Sequence, residues 1–430
     1  MKILIKGGRV IDPASGLDQV CDLAVAAGRI VSIGAAPSDF HANKTIHAVD
    51  CVVAPGLVDL AVRLREPGHE HAHMLQSEMA AAVAGGVASL VCPPDTDPVL
   101  DEPGLVEMLR FRSEKLHQCR VFPLGALTRG LRGEVLTEMV SLTQAGCIGF
   151  GQADVPLPTL HMLSRALQYA STFGYTVWLH PQDRDLGSGV VASGPLATRM
   201  GLSGVPVVAE TIAIFSIVEL MRAAGARVHL CRISSAAGLE LVRKAKAEGL
   251  PLTCDVSIHS LHLIDTDIGY FDSRSHLRPP LRQQRDRDAI RRALADGTID
   301  ALVSDHSPVD EDQKTLPFAE SEAGASAVEL LLGMALKWAE DGGVELRRAL
   351  QVLTSAPADI MTGGLDAVRC GAGRLTVGGL ADVCVYDPNA EWMINADTLR
   401  SQGKHTPFSG YAMRSKVRCT IVGGYLAFEA

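Results

Sequence analysis

The chain has 430 residues, 47% hydrophobic and 21% charged, with 41 glycines and 22 prolines. This is the composition of a globular protein and excludes a disordered chain; the length allows two or three domains, or one large domain with a satellite. Forty basic against 49 acidic side chains leave a formal charge of −9, which argues against nucleic acid or an anionic membrane as the main partner.

The N-terminus, MKILIKGGRVID, has a short apolar stretch broken by Lys6 and reads as no signal peptide. No apolar run of about 18 residues occurs, so no membrane span is expected. The ten cysteines form no CxxC pair and read as reduced thiols of a cytoplasmic protein. Residues 1–54 alternate apolar and polar side chains between turn signals: ILIKG, GRVID, DLAVAAGRIVSIG and KTIHAVDCVVAP. Residues 366–430 read the same way, in RLTVGGLADVCVYDP and KVRCTIVGGYLAFEA. The two ends together are expected to form one discontinuous β-sandwich satellite domain.

Residues 55–365 alternate short apolar runs with longer helical patterns. The strand candidates are LVDLAVRL, ASLVCPP, RVFPLGA, CIGFG, TVWLH, RVHLCRIS, LTCDVS and DALVSDH. Segments such as LPTLHMLSRALQYASTFG and VAETIAIFSIVELMRAAG carry apolar residues at helical spacing and end in glycine. Such strand–helix units over about 300 residues predict an α/β fold, a (β/α)8 TIM barrel. The competing open, doubly wound sheet lacks a GxGxxG fingerprint. Segment 184–204, rich in glycine and serine, is expected to be a long rim loop.

Chemistry in such a barrel sits at the C-terminal strand ends. Those ends hold Arg63 and Arg65, Asp95, Gln152, His180, Arg232, His259 and His262, and the pair Asp305 and His306. The blocks PGLVDLAVRLREPG, CPPDTDPVLDEP, LHPQD, VHLCRISSA, RPPLR and DGTIDALVSDHSP resemble, in order and over essentially the whole chain, those of dihydroorotases of the cyclic amidohydrolase superfamily. The resemblance implies a barrel that binds one or two zinc ions, whose hydroxide opens a ring amide. It also implies where the ligands belong. The His-x-His of strand 1 falls on Ala61 and Arg63, the strand-4 ligand on Gln152, and the strand-6 histidine on Arg232. Only His180 and Asp305 keep the family's residues. Arginine offers no lone pair and carries a permanent charge, so zinc is not expected at this centre. Arg63 or Arg232 is expected to take the vacated space and pair with Asp305.

In the substrate pocket the resemblance aligns Arg65 with a carboxylate-gripping arginine. Asp95 and Arg278 fall where asparagines are usual, and His306 lies beside them. Other constellations have plainer readings. His69, His71 and His73 could form a relocated metal site with His180 and Asp305, or be solvated loop histidines. His259 and His262 read as packing groups in a loop, and Asp255 as structural. Cys231 is expected to point outward because it neighbours Arg232, and Cys147 shows no base to make it a nucleophile.

Within the family the chain resembles inactive bacterial members that partner aspartate carbamoyltransferase. That implies a non-catalytic assembly subunit in a homo- or hetero-oligomer. The alternatives are an active zinc-dependent cyclic amidohydrolase, or a sensor of small anions built on Arg63, Arg65, Arg232 and Arg278.

Overall fold

The computed structural model describes residues 1–363 and 371–430. The expected boundary near residue 366 lies outside the described residues.

Strand segments from both ends form one eight-stranded sheet. Lys2–Asp12, Leu17–Ala26, Arg29–Ile33, Lys44–His47 and Val52–Pro55 come from the N-terminal end. Val383–Met393, Ala412–Val422 and Tyr425–Glu429 come from the C-terminal end. Val52–Pro55 joins the halves, antiparallel to Val383–Met393 and parallel to Lys2–Asp12. The period of two is visible in the joint. Val53, Val383 and Val385 enter the sheet's own core, while Val52, Ala54, Cys384 and Tyr386 pack towards the barrel. ILIKG and GRVID are one strand with an irregularity between Ile5 and Gly8, rather than two.

The middle of the chain is the (β/α)8 barrel. Its strands are Leu57–Asp59, Val87–Cys92, Arg120–Pro123 continued by Gly125–Ala126, Phe150–Gly151, Thr176–Leu179, Arg227–Leu230, Leu252–Ser257 and Ala301–Val303. Neighbours pair in parallel. The eighth strand meets the first through a Val62–His306 bridge, with the Arg63 amide donating to the His306 carbonyl at 2.9 Å. Helices cover the outside. Leu160–Phe173 is typical: Thr159 caps it by accepting from the Met162 amide, and Leu163, Ala166, Leu167 and Ala170 face the strands. Val58, Leu60, Val91, Leu124, Trp178 and Val303 help fill the barrel interior. The rim segment 184–204 is more ordered than expected. It contains the helix Pro195–Met200, and Val191–Ala192 pairs with Gly204–Val205.

Candidate functional site

The C-terminal strand ends carry a rare backbone feature. Arg65, Ala153, Arg232 and Asp305 all have φ between +51 and +59°, a left-handed conformation costly for residues other than glycine. Each turn reverses the in–out alternation of its strand, so adjacent residues both reach the barrel mouth. Cys231 does not point outward as expected: it keeps the inward face of His229, and the left-handed turn at Arg232 brings the next side chain inward as well. Cys231 packs against the barrel interior cluster while Arg232 reaches the mouth.

At the mouth a chain of ion pairs crosses the axis, its arginines and Asp305 buried and its other two carboxylates half-buried. Arg63 Nε donates to Asp95 at 2.8 Å and its Nη2 to Asp154 at 2.8 Å, while Nη1 donates to Ser307 Oγ. Arg232 bonds the other oxygen of Asp154 through Nη2 and donates to Asp305 from Nη1 at 3.0 Å. Arg63 also stands 3.8 Å from Asp305. The ladder thus runs Asp95, Arg63, Asp154, Arg232, Asp305. Burial opposes ionisation of Asp154, but Arg232 and Arg63 outweigh it and hold its carboxyl well below the usual range. Asp305 shows the reverse balance: burial lifts it to about 6 although both arginines pull it down.

Gln152 does not join this ladder. It accepts from Thr128 and donates to the Leu131 carbonyl. Asp154, two residues on and beyond the left-handed Ala153, supplies the carboxylate from this strand; the strand-4 register is corrected accordingly. Ala61 sits half-buried beside the ladder against the barrel interior cluster. Arg65 bonds the Pro308 carbonyl and Glu322. Arg63, Arg65, Asp95, Asp154, Arg278 and Ser307 line a cavity of about 210 Å³. His306 is not in this pocket: its Nε2 bonds Glu78 at 2.8 Å, and its Nδ1 accepts from the Ala327 and Val328 amides.

His180 sits beside the ladder, its Nδ1 on the Cys231 carbonyl and its Nε2 on Gln182. Burial, then the charge of Arg232, lowers it to about 4. His69 and His71 hold their rings 6.2 Å apart, but His71 is exposed and His73 is buried rather than solvated, so the three do not gather as one ligand group. His259 and His262 lie on the short helix Ile258–His262 instead of a loop, with His259 stacked on Phe408 and His262 on the Met334 carbonyl. Cys147 is buried, and burial pushes its thiol well up.

These residues do not fit a zinc ion. Two guanidiniums stand among the carboxylates that would ligate it, and one imidazole remains where a site needs about three firm ligands. Asp154 is the residue that sequence reasoning missed; the acidic side chain three positions past the end of strand 4 was its only local signal.

Barrel and satellite sheet together give the chain the fold of the cyclic amidohydrolases. Residues 50–237 match the family described as dihydro-orotase-like. The chain is 44% identical over 430 residues to a dihydroorotase-like protein of Pseudomonas aeruginosa, covering all of both chains. It is 37% identical over 431 residues to a dihydroorotase of Geobacter sp. strain M21, again covering all of both. The L-hydantoinase of Arthrobacter aurescens shares the fold, with a TM-score of 0.88 and 22% identity over 99% of this chain and 96% of that one. The chain belongs to the dihydroorotase family.

Proposed function

We propose that this chain is a non-catalytic dihydroorotase-like protein of pyrimidine biosynthesis that serves as an assembly subunit for aspartate carbamoyltransferase. The observation that carries the loss of catalysis is the ion-pair ladder: Arg63 and Arg232 occupy the centre in which the family's metal chemistry would run. A hydroxide nucleophile needs a Lewis acid there, and a buried guanidinium repels one. The partner rests on the resemblance and on the retention of the family's full length after its ligands have gone.

The test is co-expression with the transferase, size exclusion and a dihydroorotase assay on one preparation. Co-elution of the two chains, with no ring hydrolysis before or after added zinc, is the expected result. Separate peaks with a fully assembled, active transferase would remove the scaffold reading. Ring hydrolysis abolished by a chelator would establish instead a working metal-dependent hydrolase.

A further inference from the structure

One layer below the ladder the barrel interior holds a second polar group. His229 and Cys231 alternate on the strand Arg227–Leu230 and its C-terminal extension, and Asp255 faces them from Leu252–Ser257. Their ligand atoms all lie within 4.8 Å of one another, the only such His, Cys and acidic group among the described residues. His229 and Asp255 are fully buried, and Cys231, half-buried, is the member nearest solvent. His229 Nδ1 lies 2.9 Å from Thr253 Oγ1, and its Nε2 lies 2.9 Å from Asp255 Oδ2. Asp255 Oδ1 is taken by the Arg232 amide at 2.6 Å, so Oδ2 is the oxygen left to ligate. A partner that fixes one imidazole nitrogen while the other faces the cluster is the usual outer shell of a metal-binding histidine. The Trp178 ring, 4.4 Å from His229, walls the group. Nearby, Asp59 is fully buried and its Oδ2 has no hydrogen-bond partner among the described residues; burial first, and far behind it the charge of Asp255, lift its carboxyl to about 7.

We propose that His229, Cys231 and Asp255 form a buried site for a borderline-soft divalent cation such as zinc. Binding removes the Cys231 thiol proton and leaves the sulfur as a thiolate. The imidazole proton moves from Nε2 to Nδ1, where it donates to Thr253, so one proton is released per metal bound. Thiolate, carboxylate and dication sum to zero charge, which suits a low-dielectric interior. Tetrahedral zinc brings its ligand atoms to about 3.5 Å from one another, so a rotamer adjustment of Cys231 closes the group.

Cobalt(II) supplied to the full-length chain during expression tests the site. The expected result is about one cobalt per chain after dialysis, with a thiolate-to-cobalt charge-transfer band that Cys231→Ser abolishes and Cys147→Ser leaves intact. Zinc-edge X-ray absorption of the unmodified protein gives a second reading that needs no variant, with one sulfur at about 2.3 Å and nitrogen or oxygen at about 2.0 Å. A folded chain with no charge-transfer band, a band that survives Cys231→Ser, or bound zinc with no sulfur neighbour overturns the proposal. Sulfur-ligated zinc without ring hydrolysis leaves the scaffold reading standing, so the two proposals fail separately.

Discussion

In the ladder two guanidiniums face three carboxylates, which leaves one negative charge in excess. Burial lifts the Asp305 carboxyl to about 6, helped by the charge of Asp154 and opposed by both arginines. A carboxyl raised above its unfolded value binds the extra proton in the folded state. Folding therefore gains as pH falls through about 6, and the gain levels off near the ordinary carboxylate value of about 4. Asp305→Asn is expected to lose this slope, so its urea midpoint gains on the wild type as pH rises from 5 to 8. A constant difference across that range would show that Asp305 carries no raised value. Removing a cation acts more severely. Arg232→Met leaves Asp154 and Asp305 dependent on Arg63 alone and is expected to cost about 3–5 kcal/mol in denaturant unfolding. His259 works in the opposite sense to Asp305: burial, then the charge of Lys314, lowers it to about 3. Its neutral form stabilises the fold fully above the unfolded histidine value of about 6.5, and the contribution falls away as pH drops from there towards 3. His259→Phe, which keeps a ring against Phe408, is expected to lose less stability than the wild type between pH 7 and 5.

The helix Leu75–Ala84 is pinned by one buried carboxylate. Glu78 accepts from His306 at 2.8 Å, Ser401 Oγ at 2.6 Å and the Gln402 amide at 3.2 Å. It thereby joins the first barrel helix, the end of the eighth strand and a segment of the C-terminal part of the chain. Burial alone would raise its carboxyl, but His306, by hydrogen bond and charge, and then Ser401 and the neighbouring Ser77 Oγ, 2.7 Å away, hold it at about 2. This stabilisation is present above the unfolded value of about 4.3 and is lost as pH falls towards 2. Glu78→Ala is expected to cost about 3 kcal/mol or more at neutral pH, because four donors lose their acceptor, His306 and Ser401 among them in a buried place. An unchanged melting midpoint would show the three elements to be held by apolar packing alone.

Across the whole molecule, the barrel keeps the frame of its family, with Arg63 and Arg232 at its centre. If that frame is intact, histidines returned to the vacated positions should bind metal. Ala61→His, Arg63→His and Arg232→His together would place three imidazoles beside His180, Asp154 and Asp305. The triple variant is expected to hold about one zinc more per chain than the wild type, measured by elemental analysis after dialysis. No gain in zinc would mean that the strand ends no longer present the family's geometry. The satellite sheet binds to this frame through specific contacts as well as apolar ones, since Thr420 donates to the Val83 carbonyl at 2.6 Å.

The sequence by itself determined the architecture and which residues stand at the strand ends. Apolar periods of two and of about 3.6 set the strands and helices, because burial of one face is a local demand that each segment must meet. Arg63 and Arg232 were legible by resemblance alone, because their strand ends align with metal-ligand positions. Only the tertiary structure decided which acids meet them. Asp154 reaches the ladder and Gln152 does not because Ala153 turns left-handed, and a single positive φ changes the direction of every side chain after it. At Arg232 the same effect turns the guanidinium into the mouth, whereas Cys231 simply keeps the inward face that His229 holds two residues earlier. His306 left the pocket for Glu78, a residue 228 positions away, and no local pattern encodes a partner so distant.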